Sequence, residues 1–168
     1  MNILQLLHGA MNNWRTWKHL KANVYHWDGS WRDIYVQNCS QQDWIKWTNF
    51  INLHYKLNFY NPTTDNTEET INFDSIKDAL ENGDYVGSTV SFYIHEDIQV
   101  NVHFFDKNQI EHDIDPREFD SIEKHNLLLD YMKKISDLLS KAIILTEENH
   151  PEQIHIKVEN GKVLYVEQ

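Results

Sequence analysis

Residues 90–115 read VSFYIHEDIQVNVHFFDKNQIEHDID, and this stretch decides the fold. In three successive runs every aliphatic side chain falls on an even-numbered position, and the polar turns HED (95–97) and DKNQ (106–109) separate the runs. A period of two is typical of strands that bury one face, and turns this short join only antiparallel neighbours. The stretch therefore predicts an antiparallel meander of three strands.

Two dipeptides outside this stretch predict further hairpins. Residues 154–167, IHIKVENGKVLYVE, alternate on both sides of Asn160–Gly161, and residues 23–36, NVYHWDGSWRDIYV, place Asp28–Gly29 between two strand-like runs. Asn-Gly and Asp-Gly supply the positive φ angles that a two-residue type I′ turn requires. Short strands are also expected at residues 57–60 and 142–146.

Four segments predict helices. Apolar residues recur every three or four positions in residues 3–20, in residues 41–56 and in a last helix that runs to about Lys141. Residues 74–81 are predicted as a short helix because Asn82 and Gly83 follow as a C-terminal cap. Ser40, with Asp43 three positions later, is typical of a helix cap. Asp115 or Asp120 is expected to cap the last helix, because each has an acidic residue three positions on. The polar stretch 61–70 is expected to be a mobile loop.

These elements together predict one α+β domain over residues 1–168, with a mostly antiparallel sheet and helices packed on one face. A chain of this length can bury roughly two thirds of its unfolded surface, which is enough for one stable core. Six tryptophans, all between residues 14 and 47, are expected to pack mainly in that core, with one or two left for a partner.

Charge is distributed unevenly along the chain, whose formal net charge is −11. Residues 1–60 carry six Lys and Arg against three Asp, whereas residues 61–168 carry nine basic against 23 acidic side chains. An acidic field repels phosphates and anionic lipids and attracts cationic proteins. We therefore expect a basic protein partner, and neither nucleic acid nor a membrane, although acidity can also serve solubility alone.

The opening of the chain and its cysteine content both suggest a cytoplasmic protein. Residues 1–10, MNILQLLHGA, have no basic residue ahead of a short apolar run, which is unlike a signal peptide or a membrane span. The single Cys39 cannot form an internal disulfide, and no Cys or His set has zinc-ligand spacing.

The best candidate site follows from the alternation in the meander. Glu111, Asp113 and Asp115 would point to one face of the third strand, away from its isoleucines. The two preceding strands would bring polar groups to the same face: Ser91, Tyr93, His95, Gln99, Asn101 and His103. Acids from Asp115 onward are also expected at a helix start, where the helix dipole favours negative charge.

Three interpretations of this face remain open. A metal site could use His95, His103, Glu111 and Asp113, but none of them has the spacing of a known ligand pair. An acid/base pair near His103 could do catalysis, but no nucleophile motif accompanies it. A protein-binding surface requires only exposed acidic groups. We therefore predict no catalytic residue and no cofactor, and a partner-binding set made of Glu96, Asp97, His103, Glu111, Asp113, Asp115 and Glu118.

Three blocks resemble segments of small bacterial immunity-type proteins that accompany polymorphic toxins, including those of contact-dependent inhibition. They are WDGSWRDIYV (27–36), IEHDIDPREF (110–119) and KAIILTEENHPE (141–152). The resemblance implies a non-enzymatic cytoplasmic inhibitor that binds one cognate toxin domain, often a basic nuclease. Such families share a role rather than a fold or contact residues, so no site residue is transferred. The alternatives are a metal-dependent or acid/base enzyme using His95 and His103 with neighbouring carboxylates, and a scaffold subunit.

Overall fold

The computed structural model describes residues 16–166 and shows one nine-stranded antiparallel sheet with four α-helices, which confirms the α+β prediction. The helices are α1 Trp17–Asn23, α2 Gln41–His54, α3 Lys77–Asn82 and α4 Ile122–Leu139, with 3₁₀ turns at Phe73–Ser75 and Pro116–Glu118. The strands are β1 Arg32–Gln37, β2 Leu57–Asn61, β3 Asn66–Glu68, β4 Thr89–His95, β5 Ile98–Asp106, β6 Gln109–Ile114, β7 Ile143–Glu147, β8 His150–Glu159 and β9 Lys162–Tyr165. None of the described helices is long and apolar enough to cross a membrane.

The strand order is β3-β2-β4-β5-β6-β1-β7-β8-β9. The predicted meander forms β4, β5 and β6, and the predicted Asn160–Gly161 turn joins β8 to β9 with positive φ at both residues. The first strand of the described residues, β1, lies near the centre of the sheet, between β6 and β7. This non-local pairing determines which side chains meet on the sheet surface.

The core lies between one face of the sheet and the helices α2 and α4. Trp47 of α2 contacts the rings of Phe92 on β4 and His112 on β6, and Tyr131 of α4 contacts the same two rings. His112 is fully buried, and both ring nitrogens have partners: Nδ1 lies 3.1 Å from the Ile34 carbonyl oxygen and Nε2 lies 2.9 Å from the Tyr131 hydroxyl. The even-numbered residues of β5 up to Phe104 and of β6 face this core, as the alternation predicts, whereas Asp106 at the end of β5 is exposed.

Side-chain caps set the starts of the two long helices. Ser40 and Asp43 form the capping box that the sequence suggests for α2. The prediction that Asp115 or Asp120 caps the last helix is wrong. Ser121 accepts a hydrogen bond from the Lys124 amide and caps α4, while Asp115 caps the short 3₁₀ turn before it.

The hairpin predicted around Asp28–Gly29 does not form, because the Arg32 guanidinium organises residues 24–31 as a loop. Arg32 is fully buried, and its nitrogens lie 2.8–3.3 Å from four backbone carbonyl oxygens, those of Val24, His26, Ser30 and Trp31. These carbonyls bond to a side chain and not to a second strand. Of the two residues expected to take positive φ, only Gly29 does so, at 100°.

Other boundaries also differ from the sequence predictions. The helix predicted over 41–56 ends at His54, and the one predicted over 74–81 spans Lys77–Asn82 after the 3₁₀ turn. The polar stretch 61–70 contains the edge strand β3, which pairs with β2. The helix predicted over residues 3–20 begins at Trp17 in the described part of the chain, because Thr16 has an extended backbone and accepts a hydrogen bond from the His19 amide. Residues 3–15 of that prediction lie outside the described residues.

The described tryptophans divide between core and surface as expected. Trp44 and Trp47 are fully buried, whereas Trp17 and Trp31 are half-buried. Trp27 is 47% exposed, and the Arg117 guanidinium lies over its ring.

Candidate binding face

The face of the sheet opposite the helices carries polar side chains from adjacent strands. Along β1, β4, β5 and β6, the residues that alternate with core residues point to this face. The pairing registers place these residues beside one another on adjacent strands. We call this surface the open face. Its central residues are Asp33, Tyr35, Ser91, Tyr93, Gln99, Asn101, His103, Glu111 and Asp113.

A chain of hydrogen bonds crosses the open face and ends on Asp113. The Asn101 amide nitrogen donates to Asp113 Oδ1 over 2.8 Å, and the Gln99 amide nitrogen donates to Asn101 Oδ1 over 2.6 Å. Tyr93 in turn donates to Gln99 Oε1 over 2.8 Å. Because Gln99 and Asn101 each donate and accept, the network fixes the orientation of the Asp113 carboxylate.

His103 completes this network from the other side of Asp113. Its Nε2 lies 2.8 Å from Asp113 Oδ2, and this hydrogen bond raises the pKa of His103 against the opposing effect of burial. The exposed ring of Phe105 stacks on the imidazole, with centroids 5.0 Å apart and planes 7° from parallel. The imidazole is therefore held in place and carries a proton on Nε2.

Three carboxylates are crowded together on the open face. Asp33 lies directly opposite Asp113 across β1 and β6, and Tyr35 lies opposite Glu111. Asp33 Oδ2 accepts from the Tyr35 hydroxyl and from the Asn149 amide, both at 2.7 Å. Burial raises the pKa of both Asp33 and Glu111, and a neighbouring carboxylate raises each further. Like charges in opposed positions destabilise a sheet, so the protein keeps these groups at a cost in folding free energy.

An open cleft of about 420 Å³ lies on this face. Trp31 and Glu148, from loops at the end of the sheet, line it together with residues of β4, β5 and β6. The strand residues are Thr89, Val90, Ser91, Gln99, Asn101, His103 and Asp113. The Trp31 amide donates to Glu148 Oε2 over 3.1 Å. This bond ties the loop before β1 to the turn after β7.

Five of the seven predicted partner-binding residues fall into two places. His103, Glu111 and Asp113 lie together on the open face, as the alternation suggests. Glu96 and Asp97 lie in the turn between β4 and β5, where both are exposed.

The remaining predicted acids, together with Asp97, have intramolecular partners. Asp97 lies 2.5 Å from Lys124 Nζ and 2.6 Å from His95 Nδ1. Glu118 accepts the Gln99 backbone amide at 2.9 Å, and burial raises the pKa of its carboxyl. Asp115 is buried and accepts hydrogen bonds from the Arg117 guanidinium on both oxygens, which lowers the pKa of Asp115. Asp115 therefore does not continue the row of Glu111 and Asp113.

The prediction that His95 shares the face of His103 is wrong. A β-bulge between Tyr93 and His95 places His95 opposite Ile98, whose side chain is buried in the core. His103 lies five residues beyond Ile98 along β5, about 17 Å away at 3.4 Å per residue. Among residues 16–166, no group of three or more His, Cys, Asp or Glu side chains has a geometry that could hold a metal ion.

The sequence predictions missed Trp31, Asp33, Tyr35 and Glu148. Asp33 and Tyr35 alternate with the core residues Ile34 and Val36, and this period of two places them on the outer face of a strand. No local pattern, however, indicates that β1 pairs with β6. The tertiary fold alone brings Asp33 beside Asp113.

Comparisons of the chain with protein-family models, with curated proteins and with solved structures found no match.

Proposed function

We propose that this protein is a non-enzymatic binding protein that neutralises a cognate basic toxin domain by direct contact with its open face. The observation that carries the proposal is the opposition of Asp33 and Asp113, with Glu111 beside them. Asp33 is only 4% exposed, so a cationic partner would act through the half-buried Glu111 and Asp113 and would relieve the repulsion that this arrangement imposes on the free protein. Residues that lower the stability of the free protein are expected at functional sites.

The rest of the open face supports the same role. The network from Tyr93 to Asp113 fixes its side chains before binding, which reduces the entropy lost on association. Exposed aromatic rings lie on the same face, with Tyr93 46% and Phe105 64% exposed. Aromatic residues are enriched at the centres of protein interfaces. The net charge of −11 would speed the encounter with a basic partner.

A cytoplasmic location is part of the proposal. Cys39 is buried, and burial raises the pKa of its thiol to about 11, so it is a poor nucleophile for disulfide exchange. A reduced, inert cysteine fits a reducing compartment.

The test of the role is co-expression with the product of the neighbouring reading frame. We expect that product to arrest growth of a host cell alone and to be neutralised by the wild-type protein. Neutralisation should fail with Glu111→Lys and persist with Asp137→Lys, which makes the same charge change on the exposed surface of α4. A neighbouring product that is harmless alone and is not captured by the protein would contradict the proposal.

One observation favours a second candidate, acid/base catalysis. His103 and Asp113 form a hydrogen-bonded pair, and the hydroxyls of Thr89 and Ser91 line the same cleft. A histidine oriented by a carboxylate is a common general base. Hydrolysis of 4-nitrophenyl acetate that is abolished by His103→Gln and unchanged by His19→Gln would favour this candidate.

A further inference from the structure

The cleft on the open face has two carboxylates and an aromatic wall. Asp113 and Glu148 line it together with Trp31, and Asn101 and His103 lie beside Asp113. Trp31 is half-buried and is one of the residues that line the cleft, which is open to solvent. A planar cation that enters this cleft would meet oxygen acceptors and an aromatic ring at once.

The protein already binds one guanidinium in this way. Arg117 lies over the ring of Trp27, 4.1 Å from its centroid, and donates to both oxygens of Asp115 at 2.7–3.1 Å. A carboxylate fixes the plane of the guanidinium while the indole face stacks on it. The cleft contains the same two elements, and no side chain of the described residues forms an ion pair with Glu148.

We propose that the cleft binds an arginine side chain of the partner, with its guanidinium between Asp113 and Glu148 and its plane against Trp31. This inference rests on the proposed function and specifies the chemistry of its central contact.

The internal hydrogen bonds leave room for such a ligand. Asp113 accepts one hydrogen bond on each oxygen, from Asn101 and His103, and Glu148 accepts one from the Trp31 amide. A carboxylate offers about four acceptor positions, so each group has lone pairs left for a guanidinium. The Asn101 bond also holds the Asp113 carboxylate in place.

Arginine fits these groups better than lysine. Its planar fork donates to two carboxylates and stacks on an indole, whereas an ammonium is a compact, strongly hydrated charge. A volume of about 420 Å³ accommodates one long side chain but not a folded segment.

The test is an NMR titration of the full chain with N-acetyl-arginine methylamide, in which the indole N–H signals and the side-chain amide signals are followed. The neutral isostere N-acetyl-citrulline methylamide is the matched probe. We expect the arginine probe to shift the Trp31 indole signal and the Asn101 amide signal, and the citrulline probe to shift neither. Asp113→Asn and Glu148→Gln should each raise the dissociation constant by about tenfold, since each removes one charged contact. Asp137→Asn should leave it unchanged.

Different results separate the inference from the proposed function. No shift of Trp31 or Asn101 at tens of millimolar probe, or equal shifts with citrulline, would overturn the arginine site. So would shifts that persist in Asp113→Asn. If the toxin is nevertheless neutralised and Glu111→Lys abolishes neutralisation, the open face binds the partner by other contacts and only this inference fails.

Discussion

Asp33 and Asp113 lie directly opposite each other across the pair of strands β1 and β6. Both carboxylates are partly or fully buried, and each is held by two hydrogen bonds from neighbouring groups. A sheet gains stability from opposite-sign pairs in such positions and loses it from like-sign pairs. The arrangement is explained if a cationic group of another molecule is part of the functional state.

Asp33→Asn is expected to stabilise the free protein. Both hydrogen bonds to Asp33 end on Oδ2, so an asparagine oxygen in that place keeps them while the charge is lost. Burial raises the pKa of this carboxyl, which means that folding disfavours its ionised form at neutral pH. We expect the free energy of unfolding in urea to rise by about 0.5–1 kcal/mol. Asp137→Asn, with the same change in net charge on α4, should change it by less than about 0.3 kcal/mol. A loss of stability in Asp33→Asn would show that the charge is not repelled.

Arg32→Lys is expected to be strongly destabilising. The guanidinium of Arg32 reaches the carbonyls of Val24, His26 and Trp31, and it also lies 3.3 Å from a Glu147 oxygen. A lysine ammonium cannot reproduce this fork, so buried carbonyls and a carboxylate would lose partners. We expect a loss of roughly 2–4 kcal/mol in the free energy of unfolding. A loss below about 0.5 kcal/mol would mean that other contacts hold the loop 24–31.

Stability is expected to fall in acid because of buried histidines. Burial lowers the pKa of His112 and of His125 to about 4, below the usual value near 6.5. Between pH 6.5 and 4 the unfolded chain therefore binds more protons than the folded protein. Each of the two histidines lowers the free energy of unfolding by roughly 3 kcal/mol as the pH falls from 6.5 through 4. His112→Gln should flatten this decline, as measured by urea unfolding at several pH values. The exposed His19→Gln serves as the control. An unchanged slope in His112→Gln would contradict the assignment of His112 as a buried neutral group.

Ser121 and Asp120, at the start of α4, are expected to differ in how much they contribute to the free energy of unfolding. Ser121 accepts the Lys124 amide, whereas the carboxylate of Asp120 is exposed and pairs with the Lys124 side chain. Ser121→Ala should lower the free energy of unfolding by about 1 kcal/mol. Asp120→Ala should lower it by less than about 0.5 kcal/mol, as for an exposed ion pair. The reverse order would indicate that Asp120 is the cap.

Local patterns in the sequence predict the local parts of this fold. The meander and the Asn160–Gly161 hairpin depend on neighbouring residues, and both form as expected. The Asp28–Gly29 hairpin fails because Arg32, a residue outside the turn, takes the carbonyls that a second strand would use. Side-chain burial of this kind is not visible in a hydrophobic pattern.

For the candidate site too, the sequence predicts only what depends on neighbouring residues. Alternation within β5 and β6 correctly brings His103, Glu111 and Asp113 to one face. Asp33 joins them only because β1 is inserted between β6 and β7, which is a pairing between distant parts of the chain. The bulge that redirects His95 likewise arises from strand pairing and leaves no sequence signal.

The most direct test of the central claim is the dissociation constant of the complex with the proposed basic partner, measured for wild type, Glu111→Lys and Asp137→Lys by calorimetry. The two variants change the net charge equally, so a difference between them reports position on the molecule and not total charge. If the partner binds the open face, Glu111→Lys should raise the dissociation constant by at least about a hundredfold. Less than about threefold is expected for Asp137→Lys. Equal dissociation constants for the two variants would contradict the claim that the open face of the sheet is the binding surface.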